Sequence, residues 1–179
     1  GQAAGTVTNS QPGTVIVNNQ DSVNEITAAA VKASPNVVTI SASSGSAGGT
    51  GSGIVLDKEG HILTNTHVVT LDGPTANASL EVRSSDGRVV SAKLVGTDPL
   101  SDLAVIKVDA GSGLTPATFG DSGKLNVGDT ATAIGSPLGL TGTVTDGIVS
   151  TLNRTISVAS SAAPEDGDNS EDNGEGFQF

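Results

Sequence analysis

From Asn36 onward, apolar residues recur at every second position or gather in short β-branched runs. These runs are VVTISAS (37–43), GIVLD (53–57), HILTN (61–65), SLEVRS (79–84), RVVSAKLV (88–95), LAVIKVD (103–109), TATAIGS (130–136) and GIVSTLN (147–153). A period of two puts alternate side chains on opposite faces of a strand, so each run reads as a half-buried strand. Between them lie SSGSAGGTGSG (43–53), DKEG (57–60), SSDG (84–87) and GDSG (120–123), whose Gly, Asp and Ser content marks turns. Many short strands at this spacing predict an all-β barrel or sandwich.

The pattern before Asn36 is different. In DSVNEITAAAVKASP (21–35), Val23, Ile26 and Ala30 fall on one helical face, and Ser22 with Glu25 has capping-box spacing. A short amphipathic helix is expected there, stopped by Pro35. Residues 1–20 are small and polar and read as a linker or extended arm.

Composition supports strands and narrows the function classes. The 179 residues are 35% hydrophobic but only 2% aromatic, with 24 glycines and no Cys, Met, Trp or Tyr. A core must therefore be built from Val, Ile, Leu and Ala, and the missing cysteines exclude disulfides and thiolate metal sites. The net charge is −11, and six of the 19 acids fall in residues 163–179, where there is no Lys or Arg. The remainder carries no basic excess, so nucleic-acid binding is not expected. The acidic run itself is expected to be disordered on its own, because it buries too little apolar surface. No apolar run approaches the length of about 20 residues needed to cross a bilayer as a helix.

Three residues carry candidate chemistry. His67 stands in TNTHVV (64–69), in an expected turn after an apolar strand, where a scaffold can present an imidazole. Asp102 opens the strand SDLAVIKV (101–108), and a carboxylate there can orient an imidazole that takes a proton from a hydroxyl. Ser122 lies in FGDSGK (119–124), whose Gly-Asp-Ser-Gly surrounds the nucleophile in trypsin-type proteases. Taken singly, each has an ordinary reading as a turn or strand-end residue. Ser52 and Ser112, in glycine turns, and Ser136, before Pro137, lack the frame of a nucleophile. His61, six residues from His67, is expected to face solvent after DKEG, and no HExxH metal motif is present. Asp168, Ser170 and Asp172 alternate as in an EF-hand loop, but Asn173 and Phe179 stand where a glycine and a glutamate are needed. A solvated charge run is the expectation, and no metal.

In order, GSGIVLDKEGHILTNTHVV (51–69), GTDPLSDLAVIKV (96–108), VGDTATAIGSPLGL (127–140) and TVTDGIVSTLNR (143–154) resemble the HtrA/DegP-like trypsin-type serine proteases of the bacterial envelope. The resemblance covers roughly residues 33–155. It implies a trypsin-like double β-barrel, with His67 as general base and Asp102 as its orienting partner. The family's nucleophile stands in Gly-Asn-Ser-Gly-Gly, a stretch that does not occur in these 179 residues. Ser122 aligns instead with a surface turn, and its GDSG continues with Lys124 rather than a second glycine.

The expected organisation follows: 1–20 an arm, 21–113 the helix and a complete first barrel, 114–156 the first strands of a partial second barrel, and 157–179 an acidic loop or tail. The resemblance implies an extracytoplasmic serine endopeptidase acting on unfolded or misfolded proteins without a cofactor. It further implies a homotrimer, a PDZ domain or membrane anchor outside this stretch, and a nucleophile on a companion C-terminal fragment if the acidic loop is cut. On this reading the chain alone is inactive. Two rivals stand beside it: a non-catalytic module binding peptides by strand addition, and a self-contained hydrolase using Ser122.

Overall fold

The computed structural model describes residues 24–71, 77–136 and 143–154, together with the backbone of two short strands at 157–158 and 177–178. Helix α1 spans Glu25–Ala33. Its cap is not the expected capping box: the side chain of Asn24 accepts from the Thr27 N–H at 2.9 Å, and Ser22 lies outside the described residues. An N-cap oxygen satisfies an amide that has no carbonyl one turn back, and Asn serves as well as Ser. Ala30 is buried, and a 3₁₀ turn at Ser34–Asn36, holding Pro35, leads into the first strand.

Six strands follow: β1 (Val37–Ser44), β2 (Ala47–Val55), β3 (His61–Thr64), β4 (Ser79–Arg83), β5 (Val89–Asp98) and β6 (Leu103–Val108). They close into an antiparallel barrel in the order β1-β2-β3-β6-β5-β4. The expected first barrel is therefore complete. Val38, Ile40, Ala42, Val55, Ile62, Leu80, Val82, Ala104, Ile106 and Val108 fill it. Small branched side chains from facing strands do here what aromatics do in larger cores.

The glycine-rich stretch at 43–53, expected as punctuation, is mostly strand. β2 reads AGGTGSGIV, and Gly51 and Gly53 lie opposite Ile40 and Val38, on the inner face. A Cβ on Gly53 would sit 2.7 Å from Ile40 Cδ1 and from Ile62 Cγ2; on Gly51 it would sit 2.4 Å from Val68 Cγ2. These glycines are spacers for neighbouring bulk, not hinges, and composition alone reads the two uses alike.

A second hairpin stands beside the barrel: β7 (Thr130–Gly135) and β8 (Thr143–Ile148), paired antiparallel. The expected strand at 147–153 is displaced, because the ladder ends at Ile148 and residues 149–154 lie outside it. Asp146 stands just before the expected strand in sequence. In an exposed two-stranded ladder, however, Asp146 stays in water and costs nothing to include. This is the partial second sheet that was expected. Strands β9 (Ser157–Val158) and β10 (Phe177–Gln178) pair antiparallel, so the two ends of the acidic run meet. The run between them and the arm at 1–20 lie outside the described residues, as do the expectations of disorder placed on them.

The β4–β5 turn is held by Asp86, which accepts from Ser84 Oγ and from Arg88 Nε, the latter at 2.7 Å. The Ser84 hydroxyl, then the Arg88 amide and guanidinium, hold its carboxyl below the ordinary value of 3.8. A depressed folded value contributes stability above the unfolded value and loses it as pH falls through the folded one. Asp86→Asn is therefore expected to lower stability at neutral pH, with the difference shrinking as pH falls through the lowered folded value, read by urea unfolding from neutral to acid pH.

Gly51→Ala is expected to cost about 2 kcal/mol through overpacking against Val68. Gly48→Ala is the control: its added Cβ would meet only the Ala42 carbonyl, at 3.7 Å, and the change should stay within about 0.5 kcal/mol. Urea midpoints at unchanged slope measure both.

Candidate active site

Between β3 and β4 the chain makes a short helix, α2 (Thr66–Thr70), where the sequence suggested only a turn. Its position is fixed from two sides. Val68 and Val69 are buried in the core, and Val68 rests on the bare backbone of Gly51. On the other side, the Thr66 N–H and the Asn65 side chain both donate to the Asp102 carbonyl, at 3.2 and 3.0 Å. The buried Thr66 hydroxyl donates to the Leu103 carbonyl at 2.6 Å. Leu71 then turns left-handed at φ 53° and ends the helix. Five residues make a poor helix alone; this one is held by burial and by the start of β6.

Asp102 closes the turn between β5 and β6. The carboxylate of Asp98 accepts from the Leu100 and Ser101 N–H groups at 3.2 and 3.4 Å, and the Asp102 N–H donates to the Pro99 carbonyl at 3.3 Å. The backbone of Asp102 is left-handed, at φ 51°. In that pose its carboxylate meets His67 at two points. The His67 backbone N–H donates to Oδ1 at 3.0 Å, and His67 Nδ1 lies 2.7 Å from Oδ2.

This two-point clamp has a chemical consequence. An ionised carboxylate only accepts, so Nδ1 carries the proton and Nε2 presents its lone pair. Among the described residues Nε2 has no hydrogen-bond partner. The His67 side chain is 46% exposed and that of Asp102 24%. The result is an oriented base open to a reactant on its far nitrogen.

His67 and Asp102 are therefore brought together across 35 residues of sequence. Ser122 is not brought to them. It lies in an exposed 3₁₀ turn, Ser122–Lys124, capped by Asp121, and makes no hydrogen bond to His67. Ser112 sits in a turn, as expected. Ser52 does not: it is in β2, and Ser136 is buried just after β7.

His61 also departs from expectation. It opens β3 and is half-buried, with Nδ1 2.7 Å from Asp57 Oδ2, its N–H on Asp57 Oδ1, and Nε2 3.3 Å from Lys107 Nζ. The Lys107 ammonium faces the very nitrogen that His67 leaves open. The hydrogen bond from the His61 amide is the chief influence lowering the Asp57 carboxyl below its usual value. Among the described residues no group of three metal-ligating side chains occurs.

Sequence reasoning missed the residues that set the histidine: Gly51, Asn65, Thr66 and Asp98. The small polar residues flanking His67 in TNTHVV were the available signal.

Asp102→Asn leaves an amide that donates as well as accepts. It cannot accept from both the His67 N–H and Nδ1–H, so the tautomer is expected to shift to Nε2–H. ¹⁵N NMR of the imidazole at neutral pH reads this directly.

Comparison with known proteins gives the arrangement its family. Residues 51–175 match the family described as "Trypsin-like peptidase domain". "Serine protease PepD" of Mycobacterium tuberculosis is 46% identical over 137 residues, covering 74% of this chain and 30% of that protein. "Probable periplasmic serine endoprotease DegP-like" of Bartonella henselae is 49% identical over 106 residues, covering 59% of this chain and 20% of that protein. A solved structure titled "HtrA-type protease AlgWS227A with tripeptide" superposes at a TM-score of 0.62 with 40% identity, over 71% of this chain and 40% of that one. The chain thus spans under a third of the length of these two curated relatives. It belongs to the trypsin-like peptidase domain family, among relatives that are HtrA- and DegP-type serine proteases.

Proposed function

We propose that this chain supplies the general base, His67, and its orienting carboxylate, Asp102, to an HtrA-type serine endopeptidase. The observation that carries this reading is the two-point clamp of Asp102 on the His67 amide and Nδ1, with Nε2 free of a hydrogen-bond partner among the described residues. A serine hydroxyl placed at Nε2 gives its proton to His67 as its oxygen attacks a peptide carbonyl. His67 then returns that proton to the leaving amine, and water repeats the cycle to release the acyl group. Asp102 stabilises the imidazolium that forms in between. No cofactor takes part.

The serine belongs to the family's Gly-Asn-Ser-Gly-Gly segment, which is not among these 179 residues. It reaches His67 from further chain or from a companion polypeptide, within an assembly that the family builds as a trimer. Unfolded or misfolded proteins are the substrates this reading assigns. The word "periplasmic" in a relative's name supports an extracytoplasmic setting.

The 179-residue chain by itself is expected to hydrolyse no unfolded protein and to take no fluorophosphonate label at Ser122. Label on Ser122 would make the chain a self-contained hydrolase and overturn the assignment. In a polypeptide that joins this chain to the serine-bearing segment, His67→Ala is expected to lower kcat/KM by about 10⁴-fold or more. Unchanged turnover there would remove His67 from the chemistry.

A further inference from the structure

Thr39 is out of keeping with its place in the barrel. Its neighbours Val38 and Ile40 point inward and fill the core, so the strand period turns Thr39 outward. It is nevertheless only 2% exposed. Its cross-strand partner in the β1–β2 ladder is Ser52, on the same outer face. What covers them is Ser136, the residue after β7 and itself 2% exposed. The Ser136 N–H donates to Ser52 Oγ at 2.8 Å, and the Ser136 hydroxyl bonds to the Thr39 hydroxyl.

The contact continues inward. The Ser52 carbonyl accepts from the Thr64 hydroxyl at 2.8 Å, and Thr64 is the last residue of β3, three before His67. Gly51, next to Ser52, is the seat of Val68 and so of the helix that carries His67. One short stretch of β2 therefore touches both the support of the base and the end of the second hairpin.

We infer that Ser52 and Ser136 are positioning residues: with Thr39 they form a buried hydroxyl socket that sets the β7–β8 hairpin against the strand bearing His67's helix. The inference rests on the protease reading above, since the cleft of such an enzyme lies between its two barrels. A hydroxyl at position 52 is needed because a backbone N–H buried without an acceptor loses its water and gains nothing. Ala at 52 removes the acceptor; Thr keeps it on a side chain suited to a strand.

The test uses the whole 179-residue chain and needs no nucleophile. Residual dipolar couplings of backbone amides report the orientation of the hairpin relative to the barrel, and amide exchange reports the Ser136 N–H. In Ser52→Ala, couplings from β7–β8 and from the barrel are expected to fit separate alignments, with the Ser136 amide exchanging about tenfold or more faster. Barrel amides at Ile40, Val82 and Ile106 should keep their protection, which a general loss of stability would not allow. Ser52→Thr is expected to restore the single alignment. A single unchanged alignment in Ser52→Ala, or exchange raised equally in the barrel, would overturn the inference. Neither result bears on whether His67 acts as a base, which the kinetic test of His67→Ala decides separately.

Discussion

The absence of two side chains from the inner face of β2 governs much of this structure. A six-stranded barrel filled by Val, Ile and Leu has little interior to spare, and Gly51 and Gly53 give up theirs to Val68, Ile40 and Ile62. Because Val68 can sink onto bare backbone, a five-residue helix that would not persist alone is held against the barrel. Everything chemical about the site depends on that seating. The helix brings the His67 amide and ring to the same carboxylate, and that carboxylate is placed by the neighbouring β5–β6 turn. The histidine–aspartate pair is therefore built by packing first and by hydrogen bonding second.

The contrast between the two histidines sharpens this point. Each pairs with an aspartate through a ring nitrogen and a backbone amide, at matching distances. His61 does so within a local turn, and Lys107 occupies its remaining nitrogen. His67 does so across the ends of β3 and β6, neighbours in the barrel that come from separate parts of the sequence, and among the described residues its remaining nitrogen is open. A histidine–aspartate contact is thus no sign of chemistry by itself; what stands at the other nitrogen makes the difference.

How much of this was legible beforehand depended on the kind of interaction. The strands of the first barrel were readable because inward residues such as Val38, Ile40, Val82 and Ile106 obey a period of two over a buried face. The hairpin β7–β8 was misplaced at its second strand, where both faces are largely wet and no period is enforced. His67 and Asp102 could be named from their motif surroundings, but their pairing is a long-range fact that no local pattern encodes. Glycine was the least readable residue: 43–53 looks like a turn by composition, yet its glycines serve neighbours that sequence cannot show. The helix cap at Asn24 instead of Ser22 is a smaller instance, two interchangeable residues competing for one role.

The left-handed backbone of Asp102 also limits what this position can become. Such a conformation costs most side chains about 1–2 kcal/mol, and Asp, Asn and Gly bear it best. Of those three only Asp carries charge. Glutamate, the usual conservative exchange, brings a longer arm onto a backbone that disfavours it and overshoots a clamp set for a single methylene. The acid at this corner is therefore fixed from two directions, by reach and by torsion.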